Sequence, residues 1–447
     1  MEVIAFVVGV VLLVVGLAVS IALHELGHLW PAKAFGVRVG QYMIGFGPTL
    51  FSRRRGETEY GVKAIPLGGY ISMAGMYPPS PKEQAARAAG ERTGRAGGGF
   101  FATMVQDARA ANDETLDGDG DPRVFYRLPV WKRVVIMLGG PVMNLLFAVF
   151  LFALLFSGIG VQTATTTVAS ISECVIPAGE ERTTCAASDP AAPAAAAGIE
   201  PGDVVVEVAG QPVETFAEMT SLIRSSPGEP LTLVVERDGE QRSVRLTPAS
   251  VEQPVVDDLG RAVTDADGAV VTETVGIAGI RQESAYVRQP IWTGPQTAVE
   301  NVGAVAGIIW QLPVKVWETG ATLITGEERD PNGPLSVVGA GVLAGEVASA
   351  EAPVLNRVAG LLSLLASLNI ALFVFNLLPL LPLDGGHVVV ALWDGIKRAW
   401  AKITNRPPPK PVDATKLVPV TFVVFIALVV MGGVLILTDI VNPLSLF

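Results

Sequence analysis

The sequence has few charged residues for its length. Of its 447 residues, 17% are charged and 50% are hydrophobic, whereas an average globular chain carries about 25% charged residues. Such a chain is too long and too apolar to form one ordinary soluble domain. The formal net charge is −11, and this shortage of positive charge argues against nucleic acid as a partner.

Charged residues are missing altogether from four long stretches of the chain. Each stretch reaches the roughly 20 residues that a helix needs to cross a hydrocarbon core of about 30 Å. A basic segment is also missing at the N-terminus, where only Met1 and Glu2 precede the first stretch. This favours a retained transmembrane helix over a cleaved signal peptide. We therefore predict about four transmembrane helices, in the runs Val3–Leu23, Val134–Val161, Val358–Leu383 and Leu417–Thr438.

The basic residues are distributed unevenly around these runs. They follow the first run, abut the second, and fill the segment between the third and the fourth: Lys33, Arg53, Arg54, Arg55, Lys63, Lys132, Arg133, Lys397, Arg398, Lys402, Arg406, Lys410 and Lys416. Because cytoplasmic loops carry the excess of Lys and Arg, residues 30–133 and 385–416 are predicted to be cytoplasmic. Both termini and residues 162–357 then lie outside, and we expect a multi-pass protein of the inner (plasma) membrane.

Cysteine is scarce as well. The only two, Cys174 and Cys185, both fall in the long outside segment. An oxidising compartment would allow them to form a disulfide that closes a short loop. Two free thiols are the alternative, and the sequence leaves the choice open.

Composition divides the rest of the chain into recognisable segments. Residues 37–75 are rich in glycine and β-forming residues, which predicts β structure. Residues 163–250 alternate like strands and should form a soluble domain, whereas residues 286–355 carry apolar residues at helical spacing. The latter pattern predicts a helix that lies along the membrane surface or packs on the soluble domain. The predicted segments are 1–77 (first helix and β region), 78–128 (mobile cytoplasmic loop), 129–162 (second helix), 163–250 (soluble domain), 251–355 (extracytoplasmic or interfacial segment), 356–395 (third helix), 396–416 (cytoplasmic loop) and 417–447 (fourth helix and tail).

Two of the three histidines in the chain stand together in the motif HELGH, residues 24–28. Residues four apart lie on one face of a helix, so His24 and His28 can bind the same metal ion. Glu25 beside them can act as a general base toward water that the metal activates. The motif directly continues the first apolar run, before Pro31 can end the helix. Because ionisable groups are costly inside a bilayer, this placement favours a functional site over a chance match on a surface helix.

A catalytic zinc site needs three protein ligands and one open position. The preferred third ligand is Asp384, which ends the third charge-free run in the sequence NLLPLLPLDGGH, residues 376–387. On the predicted topology, Asp384 reaches the same cytoplasmic side as His24 and His28. His387 is the rival ligand, and otherwise it should lie beside the ligands without binding the metal. The alternative without a metal is an aspartate that ends a helix before a glycine turn.

Together, the HELGH motif and the later Asn-x-x-Pro-x-x-x-Leu-Asp-Gly motif resemble those of the site-2 protease family of intramembrane zinc metalloproteases. The resemblance implies that Zn²⁺ is held by His24, His28 and Asp384. It also implies that Glu25 is the catalytic base and that Asn376 helps to hold the substrate or the transition state. Residues 45–48 with 65–70 are similar to the family's membrane-associated β-hairpin, and residues 131–144 resemble the start of its second core span. Residues 333–336 resemble a Gly-Pro segment that precedes its third core span.

The segment Ala197–Val213 resembles the core of a PDZ domain, a fold that binds extended peptides by adding a strand to a sheet edge. An insertion around Cys174–Asp189 departs from a compact PDZ domain. The resemblance thus implies a polytopic α-helical membrane protein with a membrane-associated β-hairpin region and an inserted extracytoplasmic PDZ-like α+β domain. Such a protease of regulated intramembrane proteolysis, embedded in the lipid bilayer, would cleave the transmembrane segment of a single-span protein, such as an anti-sigma-factor-like regulator.

Two other classes of function remain open from the sequence. A metal transporter also places His and Asp residues inside the membrane, and an inactive scaffold could bind partners through its PDZ-like domain. The pairing of HExxH with a distant Leu-Asp-Gly favours catalysis over transport. An intact Glu25 argues against the scaffold.

Overall fold

A computed structural model of the chain describes residues 2–78, 122–174, 185–186, 191–255, 269–326, 329–330, 333–407 and 409–443. The chain forms two compact units. We call Met1–Ile159 with Gln289–Phe447 the membrane unit, and Gly160–Arg288 the inserted unit. Most of the predicted loop 78–128, namely residues 79–121, lies outside the described residues.

Among the described residues, four helices of the membrane unit are long and apolar enough to cross a membrane, which confirms the predicted number. The first, α1, has 33 residues and is about 50 Å long, so it extends beyond a hydrocarbon core of about 30 Å. The second begins as α2 and ends in a π-helical turn at Leu154–Ile159. The four spans are Glu2–Ala34 (α1), Val130–Ile159 (containing α2, Val130–Ala153), Val354–Asn376 and Ala414–Val441.

Other helices of the membrane unit lie between the second and third spans. The helical pattern predicted over residues 286–355 corresponds to α5 (Thr293–Ile309), α6 (Leu312–Thr325) and α7 (Val337–Ser349). The structure shows α5 packed on the spanning helices, a placement that neither alternative named: Ala298 joins a core with Leu151 of α2.

The third apolar run does not form one continuous helix through residue 395, and here the predicted segment 356–395 needs correction. Helix α8 (Val354–Asn376) ends at Asn376, and a new helix, α9 (Asp384–Ile403), begins at Asp384. The reason is that Pro379 and Pro382 lack the N–H group that a helix needs and restrict the residues before them. Asp384 is therefore the first residue of a helix and not the last residue of a span. The fourth span contains α10 (Val418–Val441).

Helices α1 and α2 cross at a pair of glycines. A methyl group on Gly27 would lie 2.2 Å from the carbonyl oxygen of Gly139, and one on Gly139 would lie 2.0 Å from that of Gly27. Such small residues let two membrane helices approach backbone to backbone. Pro31 does not end α1, which continues to Ala34.

Two long strands follow α1 and pair antiparallel: β1 (Val39–Arg55) and β2 (Thr58–Met73). Their register shifts repeatedly, and Tyr42 lies opposite both Tyr60 and Ile71. The first half of β1 therefore lies between the two halves of β2. The Tyr42 hydroxyl donates a hydrogen bond to the carbonyl oxygen of Ala22 (2.7 Å), which fixes these strands against α1.

The inserted unit is built on one sheet, whose strands pair in the order β10 (Ile280–Val287), β3 (Val161–Ile171), β4 (Val204–Val208), β6 (Leu231–Arg237) and β7 (Glu240–Leu246). A short strand, β5 (Gln211–Pro212), also pairs with β4. The core of the unit contains fully buried side chains such as Val205, Leu233 and Leu246. Cys174 and Cys185 form a disulfide, so the first of the two alternatives for the cysteines holds. The other elements of this unit are α3 (Pro193–Ala196), α4 (Phe216–Arg224), β8 (Ala249–Pro254) and β9 (Thr272–Ile277).

The inserted unit is longer than the soluble domain predicted over residues 163–250. Strand β8 pairs with β9, and β10 pairs antiparallel with β3, so residues up to Arg288 belong to this unit. The predicted boundary at residue 250 therefore needs correction. Pairing between strands more than 100 residues apart leaves no periodic signal in a single sequence.

Candidate active site

The HELGH motif lies in the C-terminal part of α1 and faces a cavity of about 400 Å³ within the membrane unit. The cavity is bounded by α1, α2, the end of α8, the start of α9 and the second half of β2. The sequence-predicted residues His24, Glu25, His28, Asn376, Asp384 and His387 all contribute to its walls.

Three of these residues bring ligand atoms to one point. The Nε2 atoms of His24 and His28 are 3.2 Å apart, and the Asp384 Oδ2 atom is 3.3 Å from the first and 3.4 Å from the second. Within the described residues, they form the one group of three or more such side chains close enough to hold a metal ion. Because Asp384 begins α9, its carboxylate reaches the histidines of α1 from a different helix.

Helix α2 orients both imidazoles. The His28 Nδ1 atom is 2.8 Å from the carbonyl oxygen of Ile136, and the His24 Nδ1 atom is 3.2 Å from the Asn144 Oδ1 atom. Each oxygen accepts a hydrogen bond from Nδ1–H, which in a neutral imidazole leaves Nε2 unprotonated. The Nε2 lone pair of each ring is then directed into the site.

This arrangement fits a zinc ion. Two imidazole lone pairs and the buried Asp384 Oδ2 atom, which has no hydrogen-bond donor, face one another and would repel without a cation. In tetrahedral coordination with Zn–N and Zn–O bonds of roughly 2.0–2.1 Å, ligand atoms stand about 3.3–3.4 Å apart. The three observed separations of 3.2, 3.3 and 3.4 Å match this spacing.

Glu25 lies beside the three ligand atoms but is not one of the group. Its side chain is buried and packs against β2, where a methyl group on Gly69 would lie 2.9 Å from the Glu25 Cγ atom. Glycine at this position lets the strand approach the carboxylate. The same strand is tied to α1 through Tyr42, and burial raises the pKa of that phenol to about 12.

Asn376 and His387 line the cavity without joining the ligand group. The Asn376 Nδ2 atom donates a hydrogen bond to the carbonyl oxygen of Leu372 on its own helix (3.0 Å). The His387 ring lies 6.3 Å from the ring of Tyr77, and burial lowers the pKa of its imidazole. The structure thus brings Asp384, and not the rival His387, to the two motif histidines.

Sequence reasoning missed the roles of three groups of α2 that complete the site. Asn144 and the Ile136 carbonyl orient the histidines, and Gly140 leaves room for them, since a methyl group there would lie 2.2 Å from the His28 Nε2 atom. A polar asparagine within a charge-free run was a usable signal. The contact with the Ile136 carbonyl had no signal in the sequence, because every residue carries a backbone carbonyl group.

Comparison with known proteins agrees with this geometry. Residues 12–407 match the model of Peptidase family M50. The chain is 35% identical over 458 residues to the zinc metalloprotease Rip1 of Mycobacterium tuberculosis, covering 99% of both proteins. It is 35% identical over 466 residues to Rip1 of Mycolicibacterium smegmatis, again covering 99% of both. The metalloprotease MmpA of Caulobacter vibrioides is 30% identical over 413 residues, or 88% of each chain.

The matched region contains both metal motifs, most of the first spanning helix and the whole of the second and third. The fourth span, Ala414–Val441, lies beyond it. The chain therefore belongs to peptidase family M50. It is an intramembrane zinc metalloprotease of the site-2 protease type, and zinc is its cofactor. This confirms the resemblance stated from the two motifs.

Proposed function

We propose that His24, His28 and Asp384 are the zinc ligands, that Glu25 is the general base, and that Asn376 contacts the substrate. The observation that carries this proposal is the convergence of three unshared lone pairs at tetrahedral spacing on the wall of a cavity between membrane-spanning helices. A bound zinc ion supplies Lewis acidity, which polarises the scissile carbonyl and makes water acidic enough to lose a proton near neutral pH.

The protein's own residues then manage the proton. Glu25 is adjacent to the ligands in the chain and its side chain borders the same cavity. It accepts the proton of the attacking water and later delivers a proton to the leaving amine. The Nδ1 hydrogen bonds of His24 and His28 fix the tautomer that leaves each Nε2 lone pair free for the metal ion. The Asn376 amide is available to a carbonyl group of the substrate after a small rotation away from Leu372.

The substrate that we propose is the transmembrane segment of a single-span membrane protein, of the kind exemplified by anti-sigma-factor-like regulators. A helix hides its peptide bonds in internal hydrogen bonds, so the segment must unwind before it is cut. The last part of β2, residues 69–73, pairs on one side with the start of β1. Among the described strands, none pairs with its other edge. An unwound substrate could add a strand there, beside Glu25.

The β1–β2 strands expose several large apolar side chains, including Phe46, Leu50 and Phe51. This supports their proposed role as a membrane-associated hairpin.

We propose that the inserted unit is a PDZ-like domain, located outside the inner membrane on the topology that the basic residues favour. Its six-stranded sheet and the capped helix α4 are compatible with that fold. The catalytic cavity would then open toward the cytoplasm.

The test measures zinc content and cleavage in purified full-length variants. Asp384→Ala removes a proposed ligand and should lower zinc occupancy, with loss of cleavage of a single-span reporter protein reconstituted in vesicles. The matched control is His387→Ala, which removes a ring from the same cavity and should leave zinc largely in place. Full zinc occupancy in Asp384→Ala would remove Asp384 from the ligand set.

A further inference from the structure

A buried ion pair joins two of the helices that build the active site. The Arg133 side chain of α2 places Nη1 and Nη2 at 3.1 and 3.2 Å from the Asp394 Oδ2 atom of α9. Both side chains are almost completely buried, with 5% and 2% of their surface exposed. The other oxygen, Oδ1, accepts a hydrogen bond from the backbone N–H of Val412 (2.8 Å) and lies 3.4 Å from the Lys397 Nζ atom.

The two helices contribute different parts of the metal site. Helix α2 carries the Ile136 carbonyl and the Asn144 side chain, which orient the two histidines. Arg133 lies three residues before Ile136 and eleven before Asn144, so all three share one face of α2. Helix α9 begins with Asp384. The ion pair therefore connects the helix that orients two ligands with the helix that carries the third.

The Asp384 carboxylate is positioned by the helix that carries it. Its Oδ2 atom receives no hydrogen bond, and the preceding segment lies close to the two glycines that follow Asp384. A methyl group on Gly385 would lie 2.3 Å from the Leu378 carbonyl oxygen, and one on Gly386 would lie 2.6 Å from the Leu381 nitrogen. These contacts hold the start of α9 to its own connecting segment. They do not fix it relative to α2.

Stability alone does not account for such a pair. Replacement of a buried ion pair by apolar residues is often neutral or stabilising, because both charges lose their hydration. A charged pair has the advantage of direction, since the guanidinium and the carboxylate accept only a narrow range of relative positions. Its presence at this contact points to the placement of α9 against α2.

We propose that Arg133 and Asp394 are positioning residues that hold Asp384 at its distance from His24 and His28, and thereby set the affinity for zinc. The inference rests on the ligand set proposed above. Loss of the pair would let α9 shift against α2 and move one ligand atom away from the other two. Replacement of residues that orient metal ligands without binding the metal typically lowers metal affinity by about 10–100-fold.

The experiment compares zinc affinity in full-length variants purified in detergent, measured by competition with a chelator well below the unfolding temperature. Asp394→Asn keeps the shape of the side chain but removes its charge, and we expect affinity for zinc to fall about 10-fold. The matched control is Asp203→Asn, because Asp203 is also a buried carboxylate paired with an arginine, Arg237, but lies in the inserted unit. That control should leave zinc affinity unchanged.

Arg133→Lys is the second variant, which retains the positive charge but not the two-pronged geometry of arginine. It should also weaken zinc binding, and it decides the question if Asp394→Asn does not fold. Unchanged zinc affinity in a folded Asp394→Asn or Arg133→Lys protein would overturn the proposal. An error in the ligand set would appear separately, as zinc retained in His24→Ala and Asp384→Ala.

Discussion

At the scale of single residues, the site depends on groups that hold the ligands as much as on the ligands. His24 and His28 are placed on one face by the helical period, which the sequence shows directly. Their ring orientation is set by Asn144 and by the Ile136 carbonyl of another helix. A single sequence contains no record of which helix packs against which. The motif could therefore be predicted, but the groups of α2 that orient its histidines could not.

The two asparagines of the cavity, Asn144 and Asn376, allow a matched test of the role given to Asn144 in orienting a ligand. Asn144→Ala removes the acceptor of the His24 ring, and we expect zinc affinity to fall by about 10–100-fold. Asn376 bonds its own helix at Leu372, so Asn376→Ala should leave zinc affinity unchanged and impair cleavage instead. Zinc competition assays and cleavage rates on both variants make the comparison. Equal zinc affinity in the two variants would contradict the role given to Asn144.

At the scale of elements, the four spans could be predicted because apolar length is a strong signal. The break between Asn376 and Asp384 could also have been foreseen, since Pro379 and Pro382 stand inside the run. The preference for Asp384 over His387 agrees with the geometry, although Asp384 begins α9 and does not end the third span. The crossing of α1 and α2 at Gly27 and Gly139 is a contact between distant segments and was not predictable.

The glycine crossing gives a test of helix packing. Gly139→Ala would place a methyl group against the backbone of α1, and such overpacking typically costs about 1–3 kcal/mol. We therefore expect a lower unfolding temperature and a weaker zinc site. Gly432→Ala is the control, because a methyl group at that helical position meets no described atom within 4 Å. Its unfolding temperature should stay the same or rise slightly, since alanine favours helix. Tryptophan fluorescence during heating provides the measurement.

At the scale of the whole molecule, the inserted unit has an acid-sensitive ion pair of its own. The Arg237 guanidinium donates hydrogen bonds to both carboxylate oxygens of Asp203 (2.6 and 2.8 Å) and holds the pKa of that carboxyl below its ordinary value. A lowered folded-state pKa gives stability that is present above the unfolded value of about 3.9 and is lost as the pH falls through the folded value.

We therefore expect the inserted unit to lose stability as the pH falls below about 4. Hydrogen exchange of the β4 and β6 amides in the full-length protein, corrected for the intrinsic effect of pH, measures this loss. Asp203→Asn should be less stable at neutral pH by about 1.5–3 kcal/mol and should show a shallower dependence on pH. An equally steep dependence in the variant would assign the acid sensitivity to other carboxyl groups.

The inserted unit also offers a test of substrate selection. We hypothesise that it rejects substrates with bulky outside domains, since it interrupts the membrane unit between the second and third spans. The backbone N–H of Gln289 bonds the carbonyl oxygen of Phe156 (2.9 Å), so the chain leaves and re-enters the membrane unit at adjacent points. Residues 160–288 can therefore be replaced by a short linker. The shortened protein should cleave reporters with larger outside domains, and unchanged size selection would contradict the hypothesis.

The central claim is that a zinc ion held by three side chains works together with Glu25 as the proton acceptor. Glu25→Gln retains all three ligands and the size of the side chain but cannot accept a proton from water. Zinc content and cleavage of a single-span reporter, measured on the same preparation, test the claim most directly. The account predicts one zinc ion per chain and a cleavage rate lower by about 10²–10⁴-fold. Loss of zinc together with activity, or near-full activity with zinc in place, would contradict it.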